Sequence, residues 1–131
     1  INKFIWGKVL YNCALNPLAS ILNINYGQLL ESEYTKDIMR GIISEIYTIA
    51  QKKNIDLDPK TKEEYIKILS NHLIPLTSAH RPSMLNDLEN NKKTEIDQLN
   101  GAIVQMAKEV GIKAPINQLL TELIKFKERK I

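Results

Sequence analysis

Cysteine is nearly absent from this 131-residue chain: there is one, Cys13, so no internal disulfide can form. It stands in an apolar stretch with no histidine nearby in sequence to activate it, and reads as a small core residue in a reducing compartment. Histidine is almost as scarce. Neither His72 nor His80 has a cysteine or carboxylate at ligand spacing, which leaves no recognisable metal centre. Also missing are a glycine-rich dinucleotide turn, a GKS or GKT phosphate loop and a Ser-His-Asp arrangement, so the chain carries no cofactor fingerprint of its own. No apolar run reaches the roughly 18 residues of a membrane span without polar interruption, and no signal peptide is visible. A cytoplasmic protein, not associated with membrane, is the expectation. The net charge of +3 is small and the lysines are scattered, which argues against nucleic acid as a partner. The one dense basic run, Lys125 to Lys130, closes the last helical pattern, where cations complement the helix dipole.

What is present is an ordinary globular composition, 44% hydrophobic and 25% charged, in a chain of single-domain length. The chain opens on Ile1 and enters a helical pattern at once, which implies that it is cut from something longer. From Phe4 to Leu22 the sequence is apolar on almost every side. Lys8, Asn12, Asn16 and Ser20 alone carry strongly polar side chains, each four residues after the last, so they stack into one narrow seam. A helix of that kind is expected to be buried, and its seam to face a wet cleft, a ligand or another polar element. An ion pair or amide bond inside the fold is the plainer reading of Lys8 and Asn12. Pro17 withholds the amide that would bond the carbonyl of Cys13, so a kink or restart is expected at Asn16, with Asn16 as N-cap.

Apolar spacing predicts a second helix from near Ser32 or Thr35 to about Lys53. A third is expected to be capped by Asp58, started by Pro59 and stopped by Pro75, with Tyr65, Ile66, Leu69 and Leu73 inward. Ser83 reads as the N-cap of a short helix that fades at Asn90 and Asn91. Thr94 is expected to cap one unbroken helix through Ile96, Leu99, Ile103, Met106, Ala107 and Val110, in which Gly101 permits close helix packing. Gly111 ends that helix in a Schellman cap with Ile112 packing back. Pro115 starts the last helix, with Ile116, Leu119, Leu120, Leu123, Ile124 and Phe126 at helical spacing. Period-two alternation is nowhere sustained, so the fold class is all-α, about six helices with short connections.

The second stretch dense in polar chemistry runs from His80 to Gly101. Glu95 has a plain explanation there, as an acid in the first turn of a helix. Taken with the first stretch, however, it carries the spacings K-x3-N-x3-N-P-L, S-M-L-x-D and T-E-I-D-x-L-N-G. From Trp6 to about Leu123 the chain resembles the C-terminal domain of ketopantoate reductase (2-dehydropantoate 2-reductase), which reduces ketopantoate to pantoate with NADPH in pantothenate and coenzyme A synthesis. The resemblance implies a separate N-terminal Rossmann domain that binds most of the NADP cofactor, with this helical domain closing over the substrate. By motif, Lys8 matches the proton donor, Asn12 and Asn16 line the ketopantoate site, and Ser83 binds substrate. Glu95 matches a glutamate near both the lysine and the nicotinamide ribose, which makes it catalytic and cofactor-binding. The chain departs from some relatives at His80 and Tyr26, where asparagines stand in the substrate site, and at Asn91, Lys92 and Lys93. Those departures leave the exact 2-oxo acid open. A sibling reductase for another 2-oxo acid and a stand-alone helical dimerisation module are the competing readings, and a second copy of the chain is carried as a candidate partner.

Overall fold

The structure is a computed structural model that describes residues 3–129, with side chains from Trp6 onward. The opening at Ile1, the side chain of Phe4 and the end of the basic run at Lys130 therefore lie outside the described residues. Among those residues there are seven α-helices and no strand. They are α1 (Lys3–Leu22), α2 (Glu33–Lys52), α3 (Lys62–Ile68), α4 (Ile74–Leu76), α5 (Ser83–Glu89), α6 (Asn100–Glu109) and α7 (Pro115–Glu128). A π turn, Leu69–Leu73, joins α3 to α4 as one rod, so the count of about six and the all-α class both hold.

The middle of α1 is the centre of the core. Leu10, Cys13, Ala14, Leu15 and Ala19 have no exposed surface, and Ile42, Ile43 and Ile46 of α2 are closed off in the same cluster. Burying a side chain of this size contributes about 1.5 to 3 kcal/mol, which is why this helix tolerates so few polar positions. α2 begins where its spacing predicts: the Ser32 hydroxyl accepts from the Tyr34 amide at 3.1 Å. The Schellman turn after α6 also forms, with Gly111 at φ +73° and the Ile112 amide bonded to the Ala107 carbonyl at 3.0 Å.

Pro17 does not end α1, so the restart expected at Asn16 is absent. The helix runs through it because the Cys13 carbonyl, robbed of its amide partner, accepts instead from Asn100 Nδ2 at 3.2 Å. Asn16 is accordingly a mid-helix residue and caps no restart of α1. The third helix starts later than expected. Thr61, not Asp58, is its N-cap, accepting from the Glu64 amide at 3.2 Å and donating to the Glu64 carboxylate at 3.0 Å. Pro75 does not stop the rod at once; the Ile74 amide reaches the Leu69 carbonyl in an i→i+5 bond, and the helix continues to Leu76.

The segment after Thr94 is not one helix. The Thr94 hydroxyl accepts from the Ile96 amide at 3.2 Å, but this opens only a 3₁₀ turn, Ile96–Gln98, and α6 begins at Asn100 after a break at Leu99. The break turns Asn100 into the core, where it holds α1. Gly101 serves that break, since an added Cβ would sit 3.1 Å from the Ile96 carbonyl oxygen; it does not serve packing against another helix. In α7 the inward face is Asn117, Leu120, Thr121 and Ile124, while Leu119, Leu123 and Phe126 are exposed. Glu45 of α2 decides that phase: its carboxylate accepts from the Ile116 and Asn117 amides at 2.9 and 3.0 Å and from Asn117 Nδ2 at 2.8 Å. No described helix is long and apolar enough to cross a membrane.

Candidate functional site

The polar seam of α1 climbs from the core to the surface. Ser20 and Asn16 are buried, Asn12 is half-buried and Lys8 is exposed. The expectation of a buried helix therefore holds in part: α1 is enclosed through its middle, and on the side of Lys8 and Asn12 it borders a groove. That groove has a volume of about 740 Å³. Lys8 and Asn12 form its polar edge, and Tyr11, Tyr65, Leu73 and Leu76 supply an apolar wall, with Gly7 and Thr77 completing it. Asn12 Nδ2 donates to the Lys8 carbonyl at 3.1 Å, which holds the two seam residues in register on successive turns.

Asn16 and Ser83, 67 residues apart in sequence, are brought together. Asn16 Nδ2 donates to Ser83 Oγ at 2.9 Å, and Asn16 Oδ1 accepts from the Met84 amide at 3.1 Å. Asn16 thus caps α5 from another helix. Ser83 is the first residue of α5, preceded by Pro82 at the cap position, and its own side chain makes no cap, so the N-cap reading is corrected. Because Ser83 Oγ is used as an acceptor, its hydroxyl hydrogen is left free to donate to another partner, and the residue is exposed. That arrangement presents a donor to an acceptor such as a carboxylate.

Glu95 is placed apart from both features. It is exposed, precedes the 3₁₀ turn, and gives its backbone carbonyl to the Gln98 and Leu99 amides at 3.0 and 3.1 Å. It belongs neither to the groove lining nor to the Asn16–Ser83 pair. The two departing positions, in contrast, meet. The Tyr26 ring lies 5.2 Å from that of His80 and 5.9 Å from that of Tyr11, and the Tyr26 amide donates to the His80 carbonyl at 3.2 Å. The Tyr11 hydroxyl bonds that of Thr77 at 2.8 Å, so the aromatic row ends on the groove. Burial pushes the phenols of Tyr26 and Tyr65 well above the usual range, and does the same to the Cys13 thiol. A thiol held protonated in the core is no nucleophile, as the sequence reading has it. Among the described residues no group of histidine, cysteine and carboxylate side chains is placed to hold a metal.

Residues 1–128 match the family model described as "Ketopantoate reductase PanE/ApbA C terminal". The chain belongs to this family. It is 41% identical over 128 residues to the 2-dehydropantoate 2-reductase of Aquifex aeolicus, a match covering 98% of this chain and 41% of that protein. Among solved structures it is similar to a PanE/ApbA family ketopantoate reductase from Ralstonia eutropha, with a TM-score of 0.84, 30% identity, and coverage of 96% of this chain and 41% of that one. It is also similar to D-mandelate dehydrogenase in a ternary structure with NADH and anilino(oxo)acetate, with a TM-score of 0.82, 33% identity, and coverage of 92% and 39%. The chain thus spans about two fifths of the length of the curated relative it matches. The ketopantoate reductase resemblance read from K-x3-N-x3-N-P-L and its companions is met across nearly the whole chain. The groove wall of Tyr11, Tyr65, Leu73 and Leu76 was missed from the sequence, because nothing in the spacing of α1 identifies which distant helix closes its exposed end.

Proposed function

We propose that this chain is the substrate-binding and proton-donating half of an NADPH-dependent reductase that converts 2-dehydropantoate to pantoate, with a Rossmann domain elsewhere in the same protein holding most of the cofactor. The observation that carries the reading is the Lys8–Asn12 edge of an apolar groove, one turn from an Asn16–Ser83 pair on an exposed serine. Each part has a task in reducing a 2-oxo acid. Lys8, a cation at the surface, donates a proton to the carbonyl oxygen as negative charge builds there. Asn12 and Ser83 orient the acid by hydrogen bonds, each worth about 1.5 to 3 kcal/mol when the partner is charged. Asn16 serves Ser83 by donating to its oxygen, which leaves the hydroxyl as a donor. The exposed carboxylate of Glu95 is an acceptor suited to ribose hydroxyls, so it is the residue of this chain that would meet the cofactor. NADPH, when bound, supplies the hydride.

The test is Lys8→Ala in the full-length protein, read by single-turnover reduction of 2-dehydropantoate. The expected loss is about 100- to 10,000-fold and falls chiefly on kcat, because the interaction strengthens toward the transition state. A folded variant that turns over within about threefold of wild type, roughly 0.7 kcal/mol, removes Lys8 from the chemistry. A second reading, reduction of a bulkier 2-oxo acid, is favoured by the Tyr11–Tyr26–His80 aromatic row and by the similarity to D-mandelate dehydrogenase. Comparing kcat/KM across a panel of branched and aryl 2-oxo acids separates the two.

A further inference from the structure

We propose that Asn100 is a positioning residue for the proton donor, holding the angle of α1 at Pro17 through the one backbone carbonyl that the proline leaves without its helical partner. The inference rests on the reductase reading for its kinetic part and on the fold alone for its structural part. A proline inside a helix withholds its amide and its ring pushes the carbonyl four residues earlier off the helix axis. Here that carbonyl belongs to Cys13, which has no exposed surface, so water cannot replace the lost partner. Asn100 Nδ2 replaces it from α6, at 3.2 Å.

The direction of the Asn100 amide is forced from two helices away. Glu45 is a carboxylate that accepts from the Asn117 backbone amide, so it faces Asn117 with an oxygen, and the Asn117 side chain turns its nitrogen to the same Oε1 at 2.8 Å. Asn117 is thereby left with its oxygen toward Asn100, which must answer with nitrogen, at 3.0 Å. The same nitrogen then serves Cys13. A consequence of this polarity is that Asn100 Oδ1 is buried with no partner, an arrangement that persists only because the donor end is committed on both sides. The relay Glu45–Asn117–Asn100 therefore ends on α1 with a defined donor, between the Lys8–Asn12 half of the seam and the Asn16–Ser20 half.

α1 has one internal bond fewer at this point, so the relation of its two halves is set from outside. Asn16 is fixed to α5 by Ser83 and Met84. Lys8 lies on the other side of the proline, in a half of α1 that Trp6 and Leu10 pack into the core, and the held Cys13 carbonyl sets the angle of that half to the one carrying Asn16. Loss of the tether leaves the substrate seat intact and the acid misplaced, which lowers the rate of the chemical step more than it weakens binding.

The experiment is a double-mutant cycle in the full-length protein, using Asn100→Ala, Pro17→Ala and the pair. Each is measured by urea unfolding and by single-turnover reduction of 2-dehydropantoate at saturating substrate. Asn100→Ala alone is expected to slow the saturated single turnover by about tenfold or more, while a titration of 2-dehydropantoate gives a half-saturating concentration little changed. Pro17→Ala restores an amide for the Cys13 carbonyl. In that background Asn100→Ala is expected to slow turnover by less than about threefold. Equal factors in both backgrounds overturn the tether, and a normal rate in Asn100→Ala with only a lowered unfolding midpoint overturns the positioning role. Should Asn100→Ala fail to fold, the pair is expected to fold, and a pair that also fails to fold overturns the proposal. The unfolding arm needs no substrate, so its coupling survives a failure of the reductase reading and the two failures remain distinct.

Discussion

Tyr65 shows what one side chain contributes here and what it does not. Its ring is buried against the core and forms part of the groove wall, yet its hydroxyl is buried without a hydrogen-bond partner. A hydroxyl taken from water without compensation costs about 1 to 3 kcal/mol, so the ring stabilises the fold while the oxygen opposes it. Tyr65→Phe keeps the ring and removes the oxygen. The expected result is an unfolding free energy equal to wild type or higher by about 1 kcal/mol, measured by urea titration. A loss of more than about 1 kcal/mol would mean that the hydroxyl has a partner in solution. On the proposed function, the same substitution in the full-length protein reads whether the groove receives substrate through this oxygen, since only then does KM for the oxo acid rise.

At the scale of the helix, α5 and α7 share a device that no local motif announces: both begin without a side-chain cap of their own and receive one from another helix. α5 takes Asn16 and α7 takes Glu45. For α5 this separates two substitutions that a local reading would treat alike. Asn16→Ala strips the buried Met84 amide of its acceptor and should destabilise the chain by about 1 to 3 kcal/mol. Ser83→Ala leaves that cap in place and should change stability by less than about 0.5 kcal/mol while still weakening substrate binding in the full-length protein. Thermal unfolding of the two variants side by side decides it, and equal losses would return the cap to Ser83. The same device explains the limits of the sequence. Ser32, Gly111 and Pro115 act on amides and carbonyls within a few residues, so the ends they define were legible. The Cys13 carbonyl freed by Pro17 and the Asn117 amide take their partners from 87 and 72 residues away, and nothing in either neighbourhood indicates it. The phase of α7 was lost for that reason: its apolar residues offer two stripes, and a buried Asn–Glu contact selects the one that contains Asn117 and Thr121. Of the site, the seam was legible because its spacing is that of a single helix; the groove that meets it was not, because it lies between α1 and the distant α3–α4 rod.

At the scale of the whole domain, Tyr26 and Tyr65 are sealed between helices in the neutral form and Tyr47 is half-buried, and this couples the fold to alkaline pH. Burial raises the phenol of Tyr26, with a further push from Tyr11, and burial likewise leads the rise at Tyr65. Tyr47, whose hydroxyl donates to the Pro59 carbonyl at 2.7 Å, is pushed up to about 12 by burial and then by the nearby charges of Asp58 and Glu64. In the unfolded chain each phenol titrates near about 10. Below that value both states carry the proton and the contribution to stability is fully present. Between about 10 and the folded-state values, the unfolded chain has lost protons that the folded chain keeps, so the folded state binds more and stability falls as pH rises. Cys13 acts in the same direction, since burial also raises its thiol. The urea midpoint of the chain is therefore expected to hold steady up to about pH 8.5, where the unfolded thiol begins to titrate, and to fall more steeply above about pH 10 as the phenols follow. Tyrosinate absorbance should gain its buried fraction in step with the loss of the helical circular dichroism signal. Full ionisation of all the tyrosines with the helical signal still native would show that these rings open to solvent without unfolding, and would remove the coupling.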